Sequence, residues 1–361
     1  MTALSAFLAF AGFAVLVILH ELGHFWAAKA VGMRVEKFSL FFPPTLFSRR
    51  RGETEYAIGL IPAGGYVKIS GMNPSEDLPD EVRTRAYYAQ PVWKRIVVIA
   101  AGPAMNLILA FALLFAFIFL IGGETGSSRV GVVEKGYPAA AVLKPGDKLV
   151  EVDGKRGNPV VLSEQIASHK CPGQATRGCE AAEPASVTVE RNGQERSFDL
   201  TPIYDPVAER TRLGFSYAAG PRETLPFGES FTWTVDRFWF VTRATLELPA
   251  RLIDSEQRKE ISGVVGTYET TRQTILNDVA EVVGILAIIS LSLAIVNLFP
   301  FLPLDGGHIF WAIVEKVRRK PVPFSVMERA GVVGFMLVIL IFLVGLTNDI
   351  GRLSGEGFGV R

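Results

Sequence analysis

Charge is scarce in this chain: 20% of its 361 residues are Asp, Glu, Lys or Arg, against 49% hydrophobic residues. Mean hydropathy is +0.30, and an apolar excess of that size excludes an ordinary soluble enzyme. Net charge is scarcer still. At +1 it leaves no electrostatic footprint for nucleic acid. Cysteine is nearly absent, and Cys171 and Cys179 stand in a C-x7-C spacing with no paired histidines nearby, which argues against a metal site there. A disulfide closing a small loop in an oxidising compartment is the expectation. Histidines number four, and neither an internal repeat nor a low-complexity tract is evident.

What the chain has instead is long uncharged runs. Ala3–Leu19, continuing to Phe25 past a short polar cluster, Ile96–Ile121, Val282–Leu304 and Ala330–Leu346 are the four. A bilayer core of about 30 Å takes about 20 apolar helical residues, so each run is long enough to span. The first lacks a basic leader and an obvious small-residue cleavage site, so a retained helix is expected rather than a signal peptide. Lys and Arg crowd the segment between the first two runs, Lys29 to Arg95, and the short link Lys316–Lys320 between the last two. By the positive-inside rule both are cytoplasmic, which places the termini and the large central segment outside. The fold class expected is a polytopic α-helical membrane protein of four transmembrane helices.

The expected divisions are residues 1–34 and 92–123 (helices one and two), with 35–91 between them; 124–203, an exterior domain; 204–278, a linker; and 279–325 and 326–361, carrying helices three and four. Within 35–91, Phe38–Phe42, Glu55–Ile61 and Tyr66–Ser70 read as strands punctuated by Pro43-Pro44, Gly52 and Pro62-Ala63-Gly64-Gly65. They form either a β-hairpin dipping into the membrane or an ordinary cytosolic one. In the exterior domain, Arg129–Glu134 and Lys148–Val152 read as strands and Ser163–His169 as a helix. Ala185–Arg191 and Glu195–Thr201 read as a hairpin turned at Asn192-Gly193. The stretch Gly136–Ala141, Leu143–Asp147 and Val152-Asp153-Gly154 resembles a circularly permuted bacterial PDZ domain. In the linker, Phe231, Trp233, Phe238, Phe240 and Leu246 among scattered charges suggest a helix lying at the membrane surface or packed on the exterior domain.

The chemistry centres on His20-Glu21-Leu22-Gly23-His24. On a helix, positions i and i+4 share a face, so both imidazoles can reach one cation, and Glu21 between them can serve as general base. Ionisable groups at the end of a hydrophobic helix are expensive and usually functional. A catalytic zinc site takes three protein ligands and keeps an open position. Asp305, just past the third run, qualifies as the third: Pro300 and Pro303 break the helix and turn the chain before Asp305-Gly306-Gly307. Taken alone, Asp-Gly-Gly is also an ordinary turn signal.

With these motifs in place the chain resembles the bacterial site-2 proteases, the intramembrane zinc metalloproteases of peptidase family M50, of the regulator-of-sigma-E-protease type with one PDZ domain. The resemblance maps His20, His24 and Asp305 to zinc ligands and Glu21 to the base. It maps Asn297, eight positions before Asp305, and Gly64, Gly65 and Tyr66 in the hairpin to substrate binding. Further matches are Ala101-Gly102-Pro103 with Asn106, Pro62–Lys68 as a whole, and Asn348-Asp349-Ile350. The second proline before Asp305 sits one place later than the family pattern. Phe41-Phe42-Pro43 replaces a common Gly-Phe-Gly, and Ser262–Gly266 carries Val264 where proline is usual.

The resemblance implies a Zn2+ cofactor and a multi-pass protein of the bacterial inner membrane. It also implies single-pass membrane proteins as substrates, namely anti-sigma factors already trimmed outside or remnant signal peptides. Two other classes are weighed. A catalytically inactive PDZ-bearing scaffold predicts a missing ligand or base. A zinc transporter or sensor predicts ligands strung along several helices and more than four histidines.

Overall fold

The computed structural model describes residues 2–73, 76–173, 175–176, 178–205, 208, 210–252, 258, 261, 263–277 and 280–354. It resolves into two compact units, Met1–Leu120 with Pro226–Arg361, and Ile121–Leu225.

In the first unit, helix α1 (Thr2–Ala30) runs without interruption through the apolar stretch and the polar cluster. It stops where Gly32 takes a left-handed φ of +84°, the usual glycine exit from a helix. Strands β1 (Val35–Arg51) and β2 (Thr54–Ile69) follow. They form a curled ribbon in which Lys37–Leu40 faces Gly65–Lys68 on one side and Glu55–Ile58 on the other, while Phe47–Arg51 pairs with Thr54–Ile58. The three expected strand segments are therefore paired segments of one ribbon. A fourth, ending in Arg49-Arg50-Arg51, was not expected. Prolines 43 and 44 read as a break, yet in so narrow a sheet a missing N–H can face outward and remove no ladder bond.

A short helix α2 (Asp80–Arg83) precedes α3 (Val92–Ala116), which ends in a wider turn at Phe117–Ile121. Phe25, Ala28, Val35, Phe38, Ile69, Tyr87, Val98 and Ile99 form one core that ties α1, the ribbon and α3 together. Beside it, Lys29 and Arg85 close on Glu53, with Lys29 Nζ 2.7 Å and Arg85 Nη1 2.6 Å from its carboxylate. Hydrogen bonding to Arg85 and Lys29 holds the Glu53 carboxyl well below the usual range, at about 2.

The second unit contains β3 (Gly123–Val133), β4 (Lys148–Val152), β5 (Lys155–Arg156), α4 (Pro159–Ser168), β6 (Ala185–Arg191), β7 (Gln194–Leu200), β8 (Ile203–Asp205), β9 (Arg210–Arg212) and β10 (Phe215–Glu223). The main sheet is ordered β10-β3-β4-β6-β7. Alternating Val187 and Val189 from β6, Leu149 and Val152 from β4, and Leu162 and Ile166 from α4 make its core. The hairpin turns at Asn192-Gly193, whose φ values of +54° and +77° are those a tight two-residue turn demands. Helix α4 begins four residues before the expected Ser163. Pro159 opens it, and Asn158 caps the Val160 and Val161 amides. Cys171 and Cys179 are joined, with Cα atoms 6.1 Å apart. This unit runs past residue 203 to Leu225, because β8, β9 and β10 complete it; those strands were assigned to the linker.

Returning to the first unit, the linker becomes α5 (Phe227–Leu246) and α6 (Leu248–Arg251), then α7 (Val264–Asn277). Of the departure segment 262–266, Ser262 lies outside the described residues. Helix α5 packs along the bundle. Phe231 and Phe238 meet Phe111 of α3, and Val241 clusters with Ala110, Leu291 and Ile295. Helix α8 (Glu281–Asn297) ends well before Leu304, and α9 (Asp305–Arg318) and α10 (Phe324–Ser354) complete the chain.

Among the described residues three stretches are long and apolar enough to cross a membrane: Phe7–Ala30, Val92–Ile121 and Ser325–Arg352. Helix α8, at 17 residues, is a shorter apolar helix.

Candidate metal centre

Helical spacing puts His20 and His24 one turn apart on α1, and the fold brings the start of α9 to them. His20 Nε2 lies 3.2 Å from Asp305 Oδ2, His24 Nε2 lies 3.4 Å from the same oxygen, and the two nitrogens are 3.2 Å apart. Both imidazoles are buried. Three ligands about 2.0–2.1 Å from a tetrahedral centre are necessarily about 3.3–3.4 Å from one another. The observed triangle has that size. Asp305 Oδ2 is buried and has no well-directed protein donor, so three electron-rich atoms face a common point. A divalent cation of zinc's ligand preference fits there.

The approach of three elements is made possible by missing side chains. A Cβ on Gly102 of α3 would strike the His24 ring, and one on Gly23 would strike the Ala101 carbonyl. Glycine at both places lets α1 and α3 meet backbone to backbone. The His24 ring is oriented from outside, its Nδ1 lying 2.9 Å from the Val98 carbonyl. Such an outer bond fixes which nitrogen faces a metal. Gly306 packs against the Leu298 and Phe299 carbonyls, so the turn from α8 into α9 closes tightly behind Asp305.

Glu21 sits on the neighbouring face of α1, against the ribbon. A Cβ on Gly65 would lie 3.2 Å from its Cγ and 2.9 Å from the Ser39 carbonyl. The Val67 backbone hydrogen-bonds its carboxyl. Gly64 holds φ +151° beneath the Phe42 ring, and Tyr66 stacks on Phe42 at 6.1 Å between centroids. Asn297 closes α8, half-buried, one turn before the segment that leads to Asp305. The structure thus gathers His20, His24 and Asp305 into one cluster and sets Glu21 and Gly65 side by side. Asn297, Gly64 and Tyr66 are not part of that cluster.

One residue was passed over in the sequence. His308 follows Asp305 by one turn, within electrostatic reach of Asp305 and His24; a histidine three places after the candidate ligand was the available signal. Asn106, matched in the sequence together with Ala101-Gly102-Pro103, is fully buried on α3.

The model of peptidase family M50 matches residues 8–341. Zinc metalloprotease Rip1 of Mycobacterium tuberculosis is 31% identical over 92% of this chain and 94% of its own length. A protein of Brucella suis, named as a candidate zinc metalloprotease, is 30% identical over 93% of this chain and 92% of its own. A similarly named protein of Campylobacter jejuni is 29% identical over 94% and 92% respectively. With a match that spans most of its length, this chain belongs to peptidase family M50.

Proposed function

We propose that this protein is an intramembrane endopeptidase that cuts single-pass membrane proteins in or beside their transmembrane segments, with anti-sigma factors and remnant signal peptides as substrate classes. The family and the names of its relatives make it a zinc-dependent protease of the site-2 type. The observation that carries the residue assignment is the triangle of His20, His24 and Asp305 with Glu21 beside it.

In this reading His20, His24 and Asp305 hold the metal and leave a position open. Zinc bound there supplies Lewis acidity toward the scissile carbonyl and toward water. Glu21 takes the proton from the attacking water and passes it to the departing amine. The ribbon presents substrate. Gly65–Lys68 pairs with Lys37–Leu40 on one side only among the described residues, so a locally unwound segment can add as a further strand. Gly64, Gly65 and Tyr66 line that edge, and Asn297 holds the segment from the opposite side. A helical substrate must unwind first, because its carbonyls are otherwise bonded within the helix.

Helix α8 serves as a fourth span. At about 1.5 Å per residue its 17 residues cover about 25 Å, and the irregular chain to Asp305 supplies the rest. Residues 121–225 form the PDZ domain, outside the cytoplasm, where it sorts or excludes substrates by their exterior portions. The cytoplasmic side carries Arg49–Arg51 and Lys316–Lys320, placing the site toward that face of the inner membrane.

The test is mass spectrometry of membranes from cells bearing wild type or Glu21→Gln. Uncut single-pass proteins accumulating with the variant identify the clients. Unchanged membrane proteomes, with zinc still bound, would sink the proposal.

A further inference from the structure

Buried side-chain polar atoms without a protein hydrogen-bond partner are few among the described residues. Three of them belong to two residues of the helical bundle: His20 Nδ1 and both amide atoms of Asn106. Asn106 is 0% exposed. Its backbone carbonyl accepts from Ser290 Oγ of α8 at 3.0 Å, which ties α3 to α8 and leaves the amide unused. Leaving such a group unpaired is costly.

Helices α1 and α3 run antiparallel. Phe25 and Ala28 cluster with Val98 and Ile99, and His24 meets Val98 and Gly102. One turn back along α1 is one turn forward along α3, so His20 lies at the depth of Asn106. The two histidines differ in their outer nitrogens. His24 Nδ1 has the Val98 carbonyl, whereas His20 Nδ1 has no protein partner. A metal-ligating histidine almost always donates its other N–H to a carbonyl, carboxylate or water. Among the described residues, the buried side-chain acceptors of this unit without a protein partner are Asn106 Oδ1 and Asp305 Oδ2, and Asp305 already faces the opposite nitrogen of the same ring. That leaves Asn106.

We propose that Asn106 is the positioning residue for His20: its amide oxygen accepts a hydrogen bond relayed from His20 Nδ1–H through one water, and so presents Nε2 to the metal. The inference rests on His20 being a ligand. It makes the two histidines a pair oriented by different devices of one helix, a main-chain carbonyl for His24 and a side-chain amide for His20.

The experiment measures zinc affinity by chelator competition, and thermal unfolding of the zinc-free protein, for full-length wild type, Asn106→Leu, Asn106→Ala and Asn106→Asp in detergent. Asn106→Leu should weaken zinc binding about 10–100-fold, while the zinc-free protein stays at least as stable, since an unpaired amide is replaced by an apolar group. Asn106→Asp, which keeps an acceptor, should restore affinity close to wild type. If leucine does not fit, Asn106→Ala gives the same readout without added bulk. Unchanged zinc affinity in the leucine or alanine variant overturns the proposal, as does weakening in the aspartate variant equal to theirs. Wild type that binds no zinc overturns the ligand reading beneath it, and the proposal with it.

Discussion

Two clusters in this chain join histidine to aspartate, and they are built in opposite ways. In the second unit His169 Nε2 lies 2.7 Å from Asp153 Oδ2, and His169 Nδ1 lies 3.1 Å from the Glu183 carbonyl. Gln165 and the Ser186 amide complete Asp153 at 3.0 and 2.8 Å. Every polar atom there has a protein partner, and all come from one stretch of chain. At the metal centre the partners come from opposite ends of the sequence, and two imidazole nitrogens and a carboxylate oxygen converge with no donor arranged to satisfy them. A polar group buried without compensation is costly. The first cluster is complete as protein, and in the proposed reading a cation completes the second.

That contrast is most sharply broken at Asp305. Asp305→Asn should abolish stoichiometric zinc and hydrolysis together, a larger loss than the about 10–100-fold that an outer partner carries. Metal analysis of the purified variant checks it, and full zinc content would make the two clusters alike after all. Glu21→Gln separates chemistry from binding. Hydrolysis of a model transmembrane substrate should fall by about 10²–10⁴-fold, while zinc content stays at the wild-type level.

In the second unit the losses should be of stability alone. Arg191 grips Asp147 with Nε and Nη2 each at 2.7 Å, and Asp147 is almost wholly buried. Arg191→Met strands that carboxylate and should cost about 3 kcal/mol, read by hydrogen exchange over residues 121–225, with zinc unchanged. The same pair predicts an acid response. Hydrogen bonding to Arg191 holds the Asp147 carboxyl below its usual range. A depressed carboxyl contributes its stability in full above the unfolded value, about pH 4, and loses it as pH falls through the folded one. Asp147→Asn should therefore flatten the loss of this unit's stability below pH 4. The smallest effect is expected at His169→Asn, about 1 kcal/mol, with hydrolysis intact; loss of zinc there would show that the two clusters communicate.

Local signals were legible wherever the cause was local. The alternation of Val187 and Val189 and the Asn192-Gly193 turn placed the β6–β7 hairpin to within a residue. Pro300 and Pro303 foretold the break before Asp305. Signals failed where distant packing decided. Phe47–Arg51 reads as a charged loop, yet it pairs as a strand because the ribbon curls back on it. The segment Phe215–Glu223 looked like linker, since its partner β3 lies far back in the chain. Helix α5 carries Glu229, Asp236, Arg237 and Arg243, so hydropathy placed it at a surface. Its aromatic side nevertheless packs on α3 and α8. Asn106 was legible only as part of a motif and His308 only as a residue one turn after Asp305, and neither signal reports what lies across the bundle.

The sequence by itself determined which residues could bind a metal, three of the runs that could cross a bilayer, and where the chain must turn, for these follow from side-chain chemistry and from spacings of one or two helical turns. Only the tertiary structure decided that a carboxylate 281 positions after His24 comes within 3.4 Å of it, and that Glu21 meets the ribbon at Gly65. Those are distances between separate elements, set by how closely glycine-faced helices can approach and by which buried groups find partners. No local pattern encodes them.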